Sequence, residues 1–185
     1  MPRTALVILA NGFEEIEAVT SIDILRRADV RVTVAAVACV RVDGAHGVPF
    51  VADVTLADVK DQDFDAVVLP GGMPGAQVLG GTDMVREVVT RHADDGRIVA
   101  GICAAPAMAL AAFGVLDGKR ATCYPGFEER FPDTATFVED AVVVDGNVTT
   151  SRGPGTAFAF GLELARQLAG EQKANELAAA MQYAR

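Results

Sequence analysis

Three short, largely apolar runs constrain this chain more than any other feature: residues 4–10 (TALVILA), 64–69 (FDAVVL) and 97–102 (RIVAGI). Runs of this length, without polar alternation, are what a parallel strand covered on both faces requires. Each run ends abruptly at Asn11-Gly12, at Pro70-Gly71-Gly72 or at Cys103. Behind the first break, residues 14–28 read as a helix. Glu14, Glu15 and Glu17 lie in its first turn and Arg26 and Arg27 in its last, the charge distribution that a helix dipole favours. Residues 30–37 form the next strand. Strand, helix and strand in about 35 residues make a βαβ unit with a right-handed crossover.

The rest of the chain continues in the same way. Residues 39–42 and 48–51 flank Asp43-Gly44, a hairpin signal. Residues 83–93 read as a helix. An Ala-rich helix follows Cys103 and stops at Gly114. Residues 120–123, 134–137, 141–144 and 147–150 are weaker strands. SRGPGT, residues 151–156, opens a helix to residue 168, and a last helix covers 171–183. Alternating strands and helices predict one α/β domain over residues 1–185, a three-layer α/β/α sandwich with a mostly parallel sheet.

Composition narrows the function. An apolar fraction of 51% against 22% charged excludes intrinsic disorder. A formal charge of −9 argues against nucleic acid and anionic lipid as partners. No apolar run approaches the roughly 20 residues that cross a bilayer, and the first ten residues lack a secretory pattern. Cys39, Cys103 and Cys123 form no CxxC, so neither a disulfide framework nor a four-ligand zinc site is expected. A cytoplasmic location is expected. Neither GxGxxG nor GxxxxGK[ST] occurs, and no cofactor or metal is expected.

In parallel α/β sheets ligands bind at the carboxyl ends of the strands. That rule gathers residues 11–17, residues 71–75 and the turn at Cys103. Cys103 between a buried strand and a helix has the placement of a nucleophile elbow, and a helix N-terminus is expected to lower a thiol's pKa. The competing reading is a buried packing cysteine. Glu17 beside a thiolate would have its pKa raised by the like charge and could donate to sulfur. The alternative is a solvated face on which Glu14, Glu15 and Glu17 merely complement the dipole. Gly71 and Gly72 can bring backbone amides close to a ligand, so that with Cys103 and Ala104 they form an oxyanion hole, or else they form an ordinary turn. His92 is expected to be solvated at a helix end. His46 is expected at a hairpin tip, able to serve a cysteine only if recruited from its loop or from another subunit. Cys39 and Cys123 read as packing residues, with Cys123 able to approach the site.

Four motifs in order carry a resemblance: ALVILANGFEEIEAV, VVLPGGMPGA, GICAAPAMAL and TSRGPGTAF. In these the chain resembles the ThiJ/PfpI superfamily, in its DJ-one branch of the parkinsonism-associated deglycase and its bacterial relatives. The resemblance implies a flavodoxin-like fold and a homodimer. It implies that Cys103 is reactive and easily oxidised, that Glu17 is its protonated partner, and that Gly72 and Ala104 supply backbone N–H groups. Gly71, Tyr124, Arg152, Gly153 and Pro154 would line the site. Two departures matter. Tyr124 stands where animal members carry a His, and a phenol is a poor base near neutrality. Ala104 stands where the proteolytic branch carries a His, so peptidase activity is not expected. Arg26 or Arg27 would match one half of an anion site at the dimer contact, whose other basic residue is replaced near His46. The implied activity is a glutathione-independent glyoxalase or deglycase acting on methylglyoxal-type 2-oxoaldehydes or their adducts. The alternative is a redox sensor or chaperone whose cysteine is oxidised to sulfinate. A flavodoxin-like cofactor binder is disfavoured by the missing phosphate loop.

Overall fold

A computed structural model describes residues 2–183. Its elements are β1 (Thr4–Leu9), α1 (Glu15–Arg27), β2 (Arg31–Ala36), β3 (Arg41–Asp43), β4 (Pro49–Val51), β5 (Val54–Thr55), α2 (Leu56–Val59), β6 (Ala66–Leu69), α3 (Gly75–Gly80), α4 (Asp83–Asp94), β7 (Ile98–Ile102), β8 (Arg120–Ala121), β9 (Thr136–Phe137), β10 (Val142–Asp145), β11 (Val148–Ser151), α5 (Ala157–Ala169) and α6 (Glu171–Ala180). Seven strands form one sheet in the order β10-β11-β7-β6-β1-β2-β5. Its pairs are parallel except β10 with β11. Helix α5 packs against both α1 and α6, and α4 packs against α2 and α3. This is the expected flavodoxin-like α/β sandwich.

The apolar runs explain the order. Residues 5–9 of β1 are fully buried, as a strand with neighbours on both edges and helices on both faces must be. Each fully buried Leu, Ile or Phe stabilises the fold by about 1.5–3 kcal/mol. Because β6 lies between β1 and β7, the carboxyl ends of the three runs open side by side. The hairpin β3–β4 stands outside the main sheet. Its tip folds back onto the start of α1: the Ala45 N–H donates to the Phe13 carbonyl at 2.9 Å, and the His46 N–H donates to Glu15 Oε1 at 2.8 Å.

Several expectations change. The segment after Cys103 is a π-helical turn over Pro106–Leu110, with Ala111 N–H reaching back to the Pro106 carbonyl. An Ala-rich run carries no signal separating this from a regular helix. Cys39 precedes β3, which begins only at Arg41, and it is exposed, so it is not a packing residue. His92 is wholly buried, not solvated, because Phe64 packs on its ring and the Phe64 N–H and Val88 carbonyl satisfy its two nitrogens. The short α2 and α3 are additional. Helix α2 is held by a Thr55–Asp58 capping box, a weak signal within so short a stretch.

Candidate active site

Cys103 directly follows β7 with φ +63°, in the left-handed region that non-glycine residues rarely adopt. Such a conformation costs roughly 1–3 kcal/mol and persists only where the surroundings enforce it. Here the Cys103 N–H donates to the Ser151 carbonyl at 2.9 Å, and its carbonyl accepts the Tyr124 N–H at 2.8 Å. Both backbone groups are therefore committed. The Cys103 amide is not free to join an oxyanion hole, contrary to expectation. The Gly72 and Ala104 amides act on the sulfur instead, favouring its thiolate.

Glu17 comes from the first turn of α1 and is fully buried, so it is no part of a solvated face. Its Oε2 accepts the Gly71 N–H at 2.7 Å. Its Oε1 is buried without a hydrogen-bond partner, and the Cys103 thiol sits beside this carboxyl, each shifting the other's titration. Gly71 is the hinge of the arrangement. A Cβ there would sit 2.6 Å from Cys103 Cβ and 2.8 Å from Glu17 Oε2, so any side chain would force the two apart. Gly72, at φ +86°, turns its amide toward the sulfur.

Burial raises the Glu17 carboxyl to about 7; the Gly71 amide and the thiol oppose this, and the charge of Glu14 adds to it. The cause is thus desolvation first, rather than the thiolate that the sequence suggested. Burial also pushes the Cys103 thiol up to about 12, with the Glu17 charge next, while the Gly72 and Ala104 amides pull it down. The expected lowering by a helix N-terminus is overturned. The turn that follows is not a regular helix, and the cost of burying the anion outweighs two amides. The pair titrates as a unit. Once Glu17 holds a proton, its charge no longer opposes the thiolate and its O–H can donate to sulfur.

The site opens into a cleft of about 310 Å³ lined by Glu14, His46, Gly72, Met73, Cys103, Ala104, Tyr124, Phe127 and Pro154. Gly153 backs the Tyr124 ring, since a Cβ there would lie 3.2 Å from Tyr124 Cδ2. Arg152 does not line the cleft: its Nη1 donates to the Glu139 carbonyl at 3.2 Å. Cys123 is buried, its thiol also raised to about 12 by burial and by Glu128, and it does not line the cleft. The structure adds Glu14 and His46. Their Oε2 and Nε2 lie 3.1 Å apart. Among the described residues, Glu14, Glu15 and His46 form a cluster whose donor atoms fall within 4.8 Å of one another, already knit by protein hydrogen bonds. The signal for His46 was a histidine at a hairpin tip, and only the docking of that tip on α1 brings it here.

The DJ-1/PfpI family model matches residues 3–167. Protein DJ-1 homolog B of Arabidopsis thaliana is 46% identical over 176 residues, which cover 95% of this chain and 40% of that relative. The chain thus spans less than half the length of the Arabidopsis relatives it matches. The glutathione-independent glyoxalase DJR-1.2 of Caenorhabditis elegans is 34% identical over 177 residues, 95% of this chain and 94% of that protein. The crystal structure of Drosophila melanogaster DJ-1beta superposes with a TM-score of 0.96 at 42% identity, covering 100% of both chains. No helix among the described residues is long and apolar enough to cross a membrane. A strand-end cysteine in a left-handed turn, on a sheet shared end to end with DJ-1beta, agrees with the family match, and the chain belongs to the DJ-1/PfpI family.

Proposed function

We propose that this protein is a glutathione-independent glyoxalase or deglycase that uses Cys103 on methylglyoxal-type 2-oxoaldehydes or their adducts. The observation that carries the reading is the Cys103–Glu17 pair, a thiol beside a buried, half-satisfied carboxyl at an open cleft. Glu17, raised to about 7, is ionised in part of the molecules near neutrality, and in these the thiol proton passes to it as sulfur adds to the aldehyde carbon. The oxyanion that forms is held by the Gly72 and Ala104 amides, donors of the kind that stabilise developing charge. Glu17 then returns its proton to that oxygen. The product is lactate, or lactate and a freed amine when the substrate is an adduct. The DJR-1.2 glyoxalase of Caenorhabditis elegans, similar over 95% of this chain, supports the reaction class. The test is lactate formation from methylglyoxal by the wild type, Cys103→Ser and Glu17→Gln. Loss in both variants is expected, and equal activity in all three would sink the reading.

A redox role at the same thiol is the second reading, favoured by the two amides and the protonated carboxyl that would bind a sulfinate's oxygens. It expects mild peroxide to add two oxygens selectively at Cys103. Equal oxidation at exposed Cys39 counts against it. A homodimer accompanies either reading. Exposed Ile16 and Val19 on α1 and Val48 and Val51 on the hairpin supply apolar surface for it, and sedimentation that gives a monomer would exclude it.

A further inference from the structure

We propose that His46, oriented by Glu14, is the acid–base residue that moves the carbon-bound proton of the substrate held on Cys103. The inference rests on the glyoxalase reading above and deepens it. Converting a 2-oxoaldehyde to a 2-hydroxy acid requires a proton to leave one carbon and arrive on its neighbour. That proton lies on the cleft side of the sulfur. Glu17 has no exposed surface and spends one oxygen on Gly71, so it serves sulfur and oxygen from behind. Tyr124 lines the cleft, but a phenol is a poor base near neutrality. His46 lines the same cleft, and imidazole suits proton transfer in this range.

The imidazole is held for the task. Its Nε2 lies 3.1 Å from Glu14 Oε2, and the Glu14 carboxyl is 10% exposed against 71% for the His46 side chain. A carboxylate that accepts from one ring nitrogen fixes the tautomer and leaves the other nitrogen to take a proton. The loop beneath is pinned, because Glu15 Oε1 accepts the His46 N–H at 2.8 Å and the Val48 N–H at 3.2 Å. A buried carboxylate thus holds the loop and its neighbour in sequence aims the ring. Cys103 and Tyr124 line the same cleft as the ring.

The step balances without an oxidant. Addition of sulfur gives the hemithioacetal CH3–CO–CH(OH)–S–Cys103. His46 takes the proton from the carbon bearing sulfur, and the electron pair left behind forms a carbon–carbon double bond. The hydroxyl proton on that carbon passes to the oxygen of the neighbouring one. His46 returns its proton to the neighbouring carbon, which gives the thioester CH3–CH(OH)–CO–S–Cys103. One carbon is oxidised and its neighbour reduced. Water adds to the thioester, the carbon–sulfur bond breaks, lactate leaves and sulfur regains a proton.

The experiment compares lactate formation by the wild type, His46→Ala, His46→Gln and Glu14→Gln, with and without added imidazole. The rate of Cys103 alkylation by iodoacetamide reports the thiol's surroundings. Removal of a positioned acid–base group costs about 10²–10⁴-fold. We expect that loss in kcat for both His46 variants, a smaller one for Glu14→Gln, unchanged alkylation and partial rescue of His46→Ala by imidazole. A kcat within about twofold of wild type in the His46 variants overturns the inference and leaves the glyoxalase reading standing. Lost activity with altered alkylation and no imidazole rescue also overturns it, because His46 then only shapes the loop. A wild type that forms no lactate removes both.

Discussion

At the amino-terminal ends of β1 and β6, Asp65 accepts the Thr4 N–H at 2.8 Å and the Arg3 guanidinium at 2.7 Å. Nearby, at the end of α4, the buried His92 ring accepts the Phe64 N–H at 3.1 Å and donates to the Val88 carbonyl at 2.7 Å. At the carboxyl ends of β1, β6 and β7, Glu17 Oε1 is buried without a hydrogen-bond partner and Cys103 is held at positive φ. At the first end Asp65 and His92 have their polar atoms satisfied. The other leaves a carboxyl half-satisfied beside a thiol, which costs stability and leaves the pair able to exchange a proton. Both ends bury titratable groups, so burial alone does not mark a site. The difference lies in whether partners use up the polar atoms.

The largest contrast expected is between Cys103→Ser and Cys123→Ser. Both thiols are buried, but only Cys103 lines the cleft. Loss of a covalent nucleophile removes about three orders of magnitude or more of activity, whereas Cys123→Ser should leave lactate formation within about twofold. Loss of activity in Cys123→Ser would break the distinction. His92→Ala probes the other end. It removes a fully buried ring and strands the Phe64 N–H, costing about 3 kcal/mol and lowering Tm by about 6–12 °C, with kcat at a permissive temperature unchanged.

The two ends should also differ in the sign of their pH dependence, read from urea unfolding between pH 4.5 and 8. Glu17 is raised from 4.5 to about 7, so the folded state binds the extra proton in that window. Relative to Glu17→Gln, the wild type should lose stability as pH rises from about 4.5 to about 7 and lose no more above it. Burial lowers the His92 pKa below its ordinary 6.5, so the unfolded state binds the extra proton there. Relative to His92→Gln, the wild type should lose stability as pH falls below about 6.5. Slopes of the same sign would contradict the comparison. The smallest effect expected is that of Arg3→Ala. Its side chain is 62% exposed, and removing such an ion pair costs about 0–1 kcal/mol.

Much of the fold was legible because its signals are local. The three apolar runs, the breaks behind them and the acid-to-base gradient of α1 all lie within a few residues of the structure they specify. The pairing of Cys103 with Glu17 followed from strand order and from the family resemblance. Arg152 was misplaced because motif proximity says nothing of side-chain direction, and its guanidinium turns to Glu139. His92 was misread because a polar residue at a helix end is usually solvated, and the Phe64 amide that satisfies it comes from 28 residues away. His46 was seen at its hairpin tip, but not as lining the cleft, because the 32 residues between it and Glu14 close only when the hairpin docks.

Residue order alone settled where the central strands lie, that the three apolar runs would be buried, and that a cysteine would stand at a strand end. These follow from the periodicity of apolar side chains and from turn residues acting on their neighbours. Tertiary structure decided the chemistry: which amides remain free, which carboxyl keeps its proton near neutrality, and which histidine reaches the cleft. Those properties depend on how much water each group loses and on partners brought from distant segments. Desolvation and long-range pairing exist only once the chain has folded.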